Sequence, residues 1–258
     1  MRSPRHLTRL GTRTLFCRPL LGTGPSTARR LGALASAALI LGACSHARAR
    51  PSSTRPRFSP STAAPPSTLP ARGVVGYVGC SQANGAIQGY EGLGGRNLWP
   101  PVVEYGGHSL AGWAQAISTD PALWAKFTRL EHERPPRLIW WQLCTRHGES
   151  DELNYQAALA VLSELGRLAP GVPVYVSAQN GYVAPHVCAI TGADGPARMA
   201  ALAKRLVAQG RARQGPDVGD LRAPDSAGIG ANQVQPDGCH PNPDGMRALG
   251  APLLAFFG

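Results

Sequence analysis

The chain has 258 residues, and its 26 Lys and Arg outnumber its 15 Asp and Glu to give a formal net charge of +11. Residues 1–72 hold 12 arginines and no acidic residue, so residues 73–258 carry 14 basic and 15 acidic side chains, a net charge of −1. The excess charge therefore belongs to the N-terminal segment and gives no support for a nucleic-acid-binding domain, and we predict no nucleic acid partner.

The N-terminal segment has the pattern of a bacterial export signal. Seven arginines precede an apolar run, Leu31–Ala43, which ends in Leu-Gly-Ala directly before Cys44. The run is shorter than the roughly 20 residues that span a bilayer as a helix, and small residues before a cysteine are typical of a lipoprotein signal peptide. The sequence predicts a signal peptide over residues 1–43, lipid attachment (palmitate) at Cys44 and an outward-facing protein of the cell membrane. A plain secretory signal cleaved elsewhere is the alternative, and Arg29-Arg30 is only a weak sign of twin-arginine export.

Residues 44–72 have the composition of a disordered tether. They consist mainly of Ser, Thr, Pro, Ala and Arg, with Phe58 as the one aromatic residue. Such a segment has too few apolar side chains to offset the entropy lost on folding. Its arginines either stay in solvent or lie against an anionic membrane surface.

Residues 73–258 are enough for one domain with a full core, and strand and helix patterns alternate along them. The strand patterns are Val74–Val78, a segment within Leu98–Tyr105, Leu138–Leu143 and Val172–Ser177. The helical patterns are Pro121–Leu130, Glu152–Leu168, Pro196–Gln209 and Asp244–Phe256. The strands lack in/out alternation, which is expected of strands covered on both faces. This order predicts an α/β fold with a mostly parallel sheet, whose sites form at the carboxyl ends of the strands.

Near the C-terminus, Asp237 lies three residues before His240. This spacing lets the carboxylate bind the imidazole Nδ1 and leaves Nε2 free to take a proton from a serine. Ser81 is the candidate nucleophile, because it follows the first strand pattern after a glycine. A capped turn with a surface histidine is the alternative interpretation of Asp-x-x-His.

Four short motifs occur in order: Gly79-Cys80-Ser81, Gly106-Gly107 with Trp113, Trp140-Trp141-Gln142, and Asp237-Gly238-Cys239-His240. Together they resemble the motifs of the SGNH (GDSL-like) hydrolases, and most closely those of the branch containing sialate O-acetylesterases and acetylxylan esterases. The resemblance covers residues 73–258. It implies a three-layer, flavodoxin-like α/β/α fold and hydrolysis or transfer of an acyl ester without a cofactor or metal.

The resemblance also implies a role for each motif. Ser81 would attack the ester carbonyl, His240 would act as the base and Asp237 would stabilise the imidazolium. The oxyanion hole would consist of the N–H groups of Ser81 and Gly107 and the side-chain amide of Gln142. Cys144 or Thr145 are alternatives to Gln142, and a simple turn is the alternative role of Gly106-Gly107.

Two departures from the family pattern stand out. Cys80 takes the place where most members have an Asp, and the third motif is interrupted after Gln142. The later segment Gly148–Asp151 is either the displaced end of that motif or the N-terminal cap of a helix. We favour the cap, because Glu152 and an apolar-periodic helix follow it.

Four cysteines, Cys80, Cys144, Cys188 and Cys239, remain in the domain, where an oxidising compartment favours disulfides. Four cysteines allow three pairings. We expect Cys144–Cys188, since both follow strands that are neighbours in the usual order of this fold, with Cys80–Cys239 as a possible second bridge. A zinc site is the competing use, but no Cys-x-x-Cys spacing supports it.

The function predicted is a membrane-anchored serine esterase acting on an acyl ester, such as an acetyl group of an envelope or extracellular carbohydrate. The alternative is a catalytically silent SGNH-like lipoprotein that binds glycan or protein, which the altered serine and third motifs would suit. Asp237 and His240 favour the enzyme, because a binding surface does not need that pair.

Overall fold

The computed structural model describes residues 74–224 and 228–258. The predicted signal peptide, the lipidation site at Cys44 and the tether therefore lie outside the described residues. Within the described ranges, no helix is long and apolar enough to cross a membrane.

A four-stranded parallel sheet forms the centre of the domain. Its strands are β1 (Val75–Val78), β2 (Leu138–Leu143), β3 (Val174–Ala178) and β5 (Arg213–Gln214), in that spatial order. A separate parallel pair consists of β4 (Gly181–Tyr182) and β6 (Asp220–Leu221). All residues of β1 and β2 are buried, so both faces of these strands are covered. The predicted α/β fold with a parallel sheet is confirmed.

The helices fall into two packed groups. They are α1 (Ser81–Gly92), α2 (Leu110–Thr119), α3 (Pro121–Glu133), α4 (Asp151–Leu168), α5 (Gly195–Ala208) and α6 (Pro243–Phe257), with a short 3-10 helix at Val103–Tyr105. Helix α1 packs against α6, while α2 packs against α3 and α4, and α5 packs against β3. The four helices predicted from sequence correspond to α3, α4, α5 and α6.

Glycines set the distance between α1 and α6. A Cβ added at Gly250 would lie 2.2 Å from the backbone N of Tyr90, and one added at Gly89 would lie 1.7 Å from the carbonyl O of Met246. Only residues without a Cβ allow two helix backbones to approach so closely. Because Ser81 begins α1 and His240 lies in the turn that leads into α6, this contact fixes the relative position of the two segments.

Aromatic side chains fill the core. The rings of Tyr77, Tyr105, Trp113 and Trp124 form a chain of edge-to-face contacts with centroids 4.8–5.2 Å apart. All five tryptophans are at most 4% exposed: Trp99, Trp113, Trp124, Trp140 and Trp141. Their main role is therefore packing in the core.

Three parts of the fold differ from the sequence prediction. The strand expected within Leu98–Tyr105 is wrong: Leu98 makes a single parallel bridge to Val75, and the chain then forms the 3-10 helix. Helices α1 and α2 were not predicted, because glycines and polar residues interrupt their apolar pattern. Strands β4, β5 and β6 are two residues long each and too short to give a pattern.

Candidate active site

Ser81 is the first residue of α1 and lies just beyond the end of β1. Gly79 makes this sharp entry possible, since a Cβ there would lie 2.5 Å from the Cβ of Ala83. The indole Nε1 of Trp113 donates a hydrogen bond of 2.7 Å to the carbonyl of Gly79. Ser81 is therefore held by backbone structure, at a helix N-terminus that favours negative charge.

The structure brings Ser81, His240 and Asp237 into one hydrogen-bonded chain. His240 Nε2 lies 2.8 Å from Ser81 Oγ, and His240 Nδ1 is hydrogen-bonded to Asp237 Oδ2. Since an ionised carboxylate only accepts, Nδ1 carries the proton and Nε2 is the acceptor that faces the serine hydroxyl. This is the arrangement needed to take a proton from Ser81.

Asp237 also shapes the turn that carries the histidine. Its Oδ1 accepts hydrogen bonds from the backbone N–H groups of Cys239 at 2.9 Å and His240 at 3.0 Å. Burial acts to raise the pKa of Asp237, but the hydrogen bonds from the His240 ring and the two backbone N–H groups outweigh it and lower the pKa to about 2. Asp237 is therefore ionised at neutral pH.

The side chains of Tyr182 and His186 also hold this turn in place. The Tyr182 hydroxyl donates to the carbonyl of Cys239 at 2.5 Å and accepts from Gln82 Nε2 at 2.7 Å. His186 Nε2 donates to the carbonyl of Gly238 at 2.6 Å. Burial raises the pKa of Tyr182 to about 12, so its hydroxyl keeps its proton and can donate. Tyr182 thereby connects the start of α1 with the histidine turn.

Ser81 and His240 open into a cavity of about 410 Å³, called here the catalytic cavity. Gly106, Gly107 and His108 line it, as do Arg146 and Ile190. Burial lowers the pKa of His108, and Arg146 adds to this effect while Asp120 opposes it, so the imidazole is uncharged at neutral pH.

Gly106 and Gly107 form a turn at the cavity wall, where the N–H of Gly106 donates to the carbonyl of Val103 at 2.9 Å. Gly106 has φ −59° and ψ 140°, and Gly107 has φ 81°. These angles match a type II turn, whose second central position requires glycine. The Arg146 guanidinium donates to the carbonyl of Gly107 and so fixes the orientation of the following peptide. Gly107 thus lines the same cavity as Ser81.

Gln142 is not at the cavity, and this corrects the sequence prediction. It is fully buried within β2, absent from the cavity lining, and neither amide atom has a partner among the described residues. Side chains alternate along a strand, so Gln142 shares the face of Trp140, whose ring contacts Phe257 of α6. Thr145, one of the alternatives, does line the cavity.

Gln179, which no motif in the sequence indicated, has a side-chain amide and lines the cavity. It directly follows β3, and its backbone N–H donates to the carbonyl of Leu143 at 2.9 Å. The rule that sites form after parallel strands would have found it, since it is the first polar side chain beyond Ala178.

The prediction that Gly148–Asp151 caps a helix is confirmed. Ser150 is the N-cap of α4, and its Oγ accepts from the N–H of Leu153 at 3.2 Å. The neighbouring Glu149 supports the cavity as well, accepting from Ser109 Oγ at 2.6 Å, Thr145 Oγ1 at 3.0 Å and the N–H of Arg146 at 2.9 Å. It ties together two loops whose residues line the catalytic cavity.

The disulfides are Cys80–Cys144 and Cys188–Cys239, so the predicted Cys144–Cys188 pair is wrong. Cys80 and Cys144 follow β1 and β2, which are neighbours in the sheet. Cys188 lies ten residues beyond the end of β3, and this longer loop carries it to the histidine turn. Each bridge joins a residue directly before Ser81 or His240.

Among residues 74–224 and 228–258, no group of His, Cys, Asp and Glu could hold a metal ion.

No family model matches the chain, and no curated protein is significantly similar to it. The solved structures that are similar include those of three bacterial proteins. A candidate SGNH hydrolase from Slackia heliotrinireducens is 19% identical, with a TM-score of 0.47 over 73% of this chain and 100% of its own. A candidate acylhydrolase from Bacteroides fragilis is 16% identical, with a TM-score of 0.41 over 72% and 88%. A GDSL-like lipase from Bacteroides thetaiotaomicron is 14% identical, with a TM-score of 0.39 over 69% and 84%. All three TM-scores are below 0.5, so the chemistry of this site does not follow from these similarities.

Proposed function

We propose that the protein is a serine hydrolase that cleaves acyl esters. The observation that carries this proposal is the chain from Ser81 Oγ through His240, 2.8 Å away, to the ionised Asp237. The alternative, a capped turn with a surface histidine, does not explain why the imidazole is hydrogen-bonded to a serine hydroxyl at the edge of a cavity.

In the first half of the reaction, Ser81 Oγ attacks the ester carbonyl carbon and His240 Nε2 takes the hydroxyl proton. Asp237 stabilises the imidazolium that forms. The N–H groups of Ser81 and Gly107 are suited to bind the oxygen that becomes negative, and each such donor can be worth a few kcal/mol. The bond to the alcohol then breaks, and His240 gives its proton to the leaving oxygen.

In the second half, water attacks the acyl group on Ser81. His240 takes one proton from the water, and the acid is released as Ser81 Oγ regains that proton from the imidazolium. The enzyme returns to its starting state with no cofactor consumed.

Labelling with a fluorophosphonate followed by peptide mass spectrometry tests the nucleophile. We expect modification at Ser81 in the wild type, none in Ser81→Ala, and unchanged labelling in Ser118→Ala, which removes an exposed serine on α2. An inert wild type that also cleaves no ester would favour the binding lipoprotein instead.

We also propose that Cys44 carries a lipid and that the substrate is an acetyl or other acyl ester on an envelope or extracellular carbohydrate. The apolar run Leu31–Ala43 before Cys44 supports the anchor. We expect Cys44→Ala to release the protein from membranes. Retention of this variant with lipid after a high-salt wash would reject the anchor.

A further inference from the structure

The side-chain amide of Gln179 has one hydrogen-bonded end and one end without a hydrogen-bond partner among the described residues. Gln179 is 3% exposed and lines that cavity. Its Oε1 accepts a hydrogen bond of 2.9 Å from the N–H of Thr145. Its Nε2 is buried and has no partner among the described residues, so a ligand oxygen reaches it only when the cavity wall around it moves. A backbone N–H can only donate, so the amide cannot be turned round, and Nε2 must be the free donor.

The unpartnered Nε2 and the Cβ of Thr191 both lie close to Gly195. A Cβ added at Gly195 would be 3.1 Å from Gln179 Nε2 and 3.1 Å from the Cβ of Thr191. Thr191 also lines the catalytic cavity and is 5% exposed. The end of the cavity formed by Gln179 and Thr191 is called here the amide end.

The amide end is separated from the nucleophile by two strand spacings. Ser81 follows β1, Gln179 follows β3, and β2 runs between them. Parallel strands are about 4.8 Å apart, so the two ends of the cavity are roughly 10 Å apart. The Cys80–Cys144 bridge follows β1 and β2 and also lines the cavity, between the two ends.

We propose that Gln179 Nε2 binds an acceptor oxygen of the substrate, which makes Gln179 a specificity-determining residue. A buried amide donor without a partner is costly, and a ligand oxygen removes that cost. The substrate is then an ester with a carbonyl or hydroxyl oxygen several bonds from the scissile carbonyl, in its acid or its alcohol part. A plain acetyl group reaches only the Ser81 end. This inference rests on the proposed esterase function, because it takes the ester to be bound at Ser81.

Binding to a Ser81→Ala protein tests the inference without requiring turnover. Two pairs of esters are matched in shape, and a methyl group in the second member replaces the ketone oxygen of the first. They are ethyl levulinate against ethyl isocaproate for the acid part, and 3-oxobutyl acetate against isoamyl acetate for the alcohol part. NMR titration gives each Kd. We expect the ketone ester of one pair to bind about fivefold more tightly, which corresponds to about 1 kcal/mol for one hydrogen bond. The pair that shows the preference identifies which part of the substrate reaches Gln179.

Two variants in this background remove the donor. Gln179→Glu keeps the acceptor for the Thr145 N–H, and Gln179→Met keeps the length of the side chain. We expect the fivefold ratio to fall to about one in each variant that melts cooperatively. Gln142→Met is the matched control, because Gln142 is a buried, unpartnered amide outside the cavity, and it should leave the ratio unchanged.

The outcomes separate the two proposals. A ratio near one for both pairs in Ser81→Ala, or a preference that survives both Gln179 variants, would overturn the role of Gln179, and Nε2 would then be assigned to a bound water. If the ratio depends on Gln179 but the protein with Ser81 hydrolyses none of the four esters, the binding inference stands and the esterase proposal fails. If the protein hydrolyses these esters but shows no preference for the ketone, the esterase proposal stands and the binding inference fails.

Discussion

The two halves of the catalytic pair are held in place by different means. Ser81 lies where β1 passes into α1, and backbone packing at Gly79 fixes it. His240 lies on a turn outside regular structure, and it is held by Asp237, by the Tyr182 hydroxyl and by the contacts of residues 186–188. The first arrangement belongs to the core, whereas the second depends on side chains that can be removed one at a time.

Substitutions on the two sides should therefore affect different properties of the protein, namely its stability and its turnover. Changes on the serine side disturb the sheet and the core, so they should lower the free energy of unfolding first. Changes on the histidine side leave the core packed, so they should lower kcat in a protein that still folds.

The largest effects should come from the disulfides. Their sequence separations are 64 residues for Cys80–Cys144 and 51 for Cys188–Cys239. Loop-closure entropy gives each bridge a similar contribution of about 4 kcal/mol. We therefore expect Cys80→Ala/Cys144→Ala and Cys188→Ala/Cys239→Ala to lower the unfolding free energy by similar amounts in denaturant titrations. Only the second pair should reduce kcat more than tenfold, and equal losses of kcat would contradict the comparison.

Trp113→Phe tests the serine side. It leaves the buried carbonyl of Gly79 without its hydrogen-bond donor and creates a void in the aromatic core. We expect a loss of about 2–4 kcal/mol in unfolding free energy. Turnover by the folded fraction should fall by less than in Tyr182→Phe, and chemical denaturation with steady-state kinetics measures both quantities.

Tyr182→Phe tests the histidine side. It keeps the ring, which lies 5.3 Å from the His186 ring, and removes the hydroxyl that joins Gln82 to the carbonyl of Cys239. We expect kcat to fall about fivefold with KM unchanged, and stability to change by about 1 kcal/mol. The control Tyr155→Phe removes a hydroxyl bond to Gln209 on other helices. A rise in KM without a fall in kcat would show that Tyr182 acts on substrate instead of on the turn.

The smallest effect concerns Asp237 and pH. Its carboxyl pKa falls from 3.8 to about 2 on folding, so its contribution to stability is complete above about pH 4 and is lost as the pH falls through about 2. The side chain is 44% exposed, which keeps this contribution small. In thermal melts, the Tm difference between wild type and Asp237→Asn should be constant above pH 5 and shrink towards pH 2. A difference that does not change with pH would mean that the carboxylate is not held as described.

Local patterns in the sequence predicted most of the site. The pairing of Asp237 with His240 needs only a three-residue turn, and Ser81 needs only the rule that parallel strands end at one edge of the sheet. The same rule placed Cys144 correctly at that edge. The partner of Cys188 depended on the path of the loop after β3, and the spacing of apolar residues does not predict the path of a loop. Gln142 was misassigned because side chains alternate between the two faces of a strand. The sequence did not indicate which face of β2 packs against α6.

Single and double substitutions at Ser81 and His240 test the central claim most directly. With p-nitrophenyl acetate as substrate, Ser81→Ala and His240→Ala should each lower kcat by at least about a thousandfold, because the two groups act as one unit. The double variant should lose at most a few-fold more. A Ser81→Ala protein that keeps wild-type turnover, or losses that multiply in the double variant, would contradict the account.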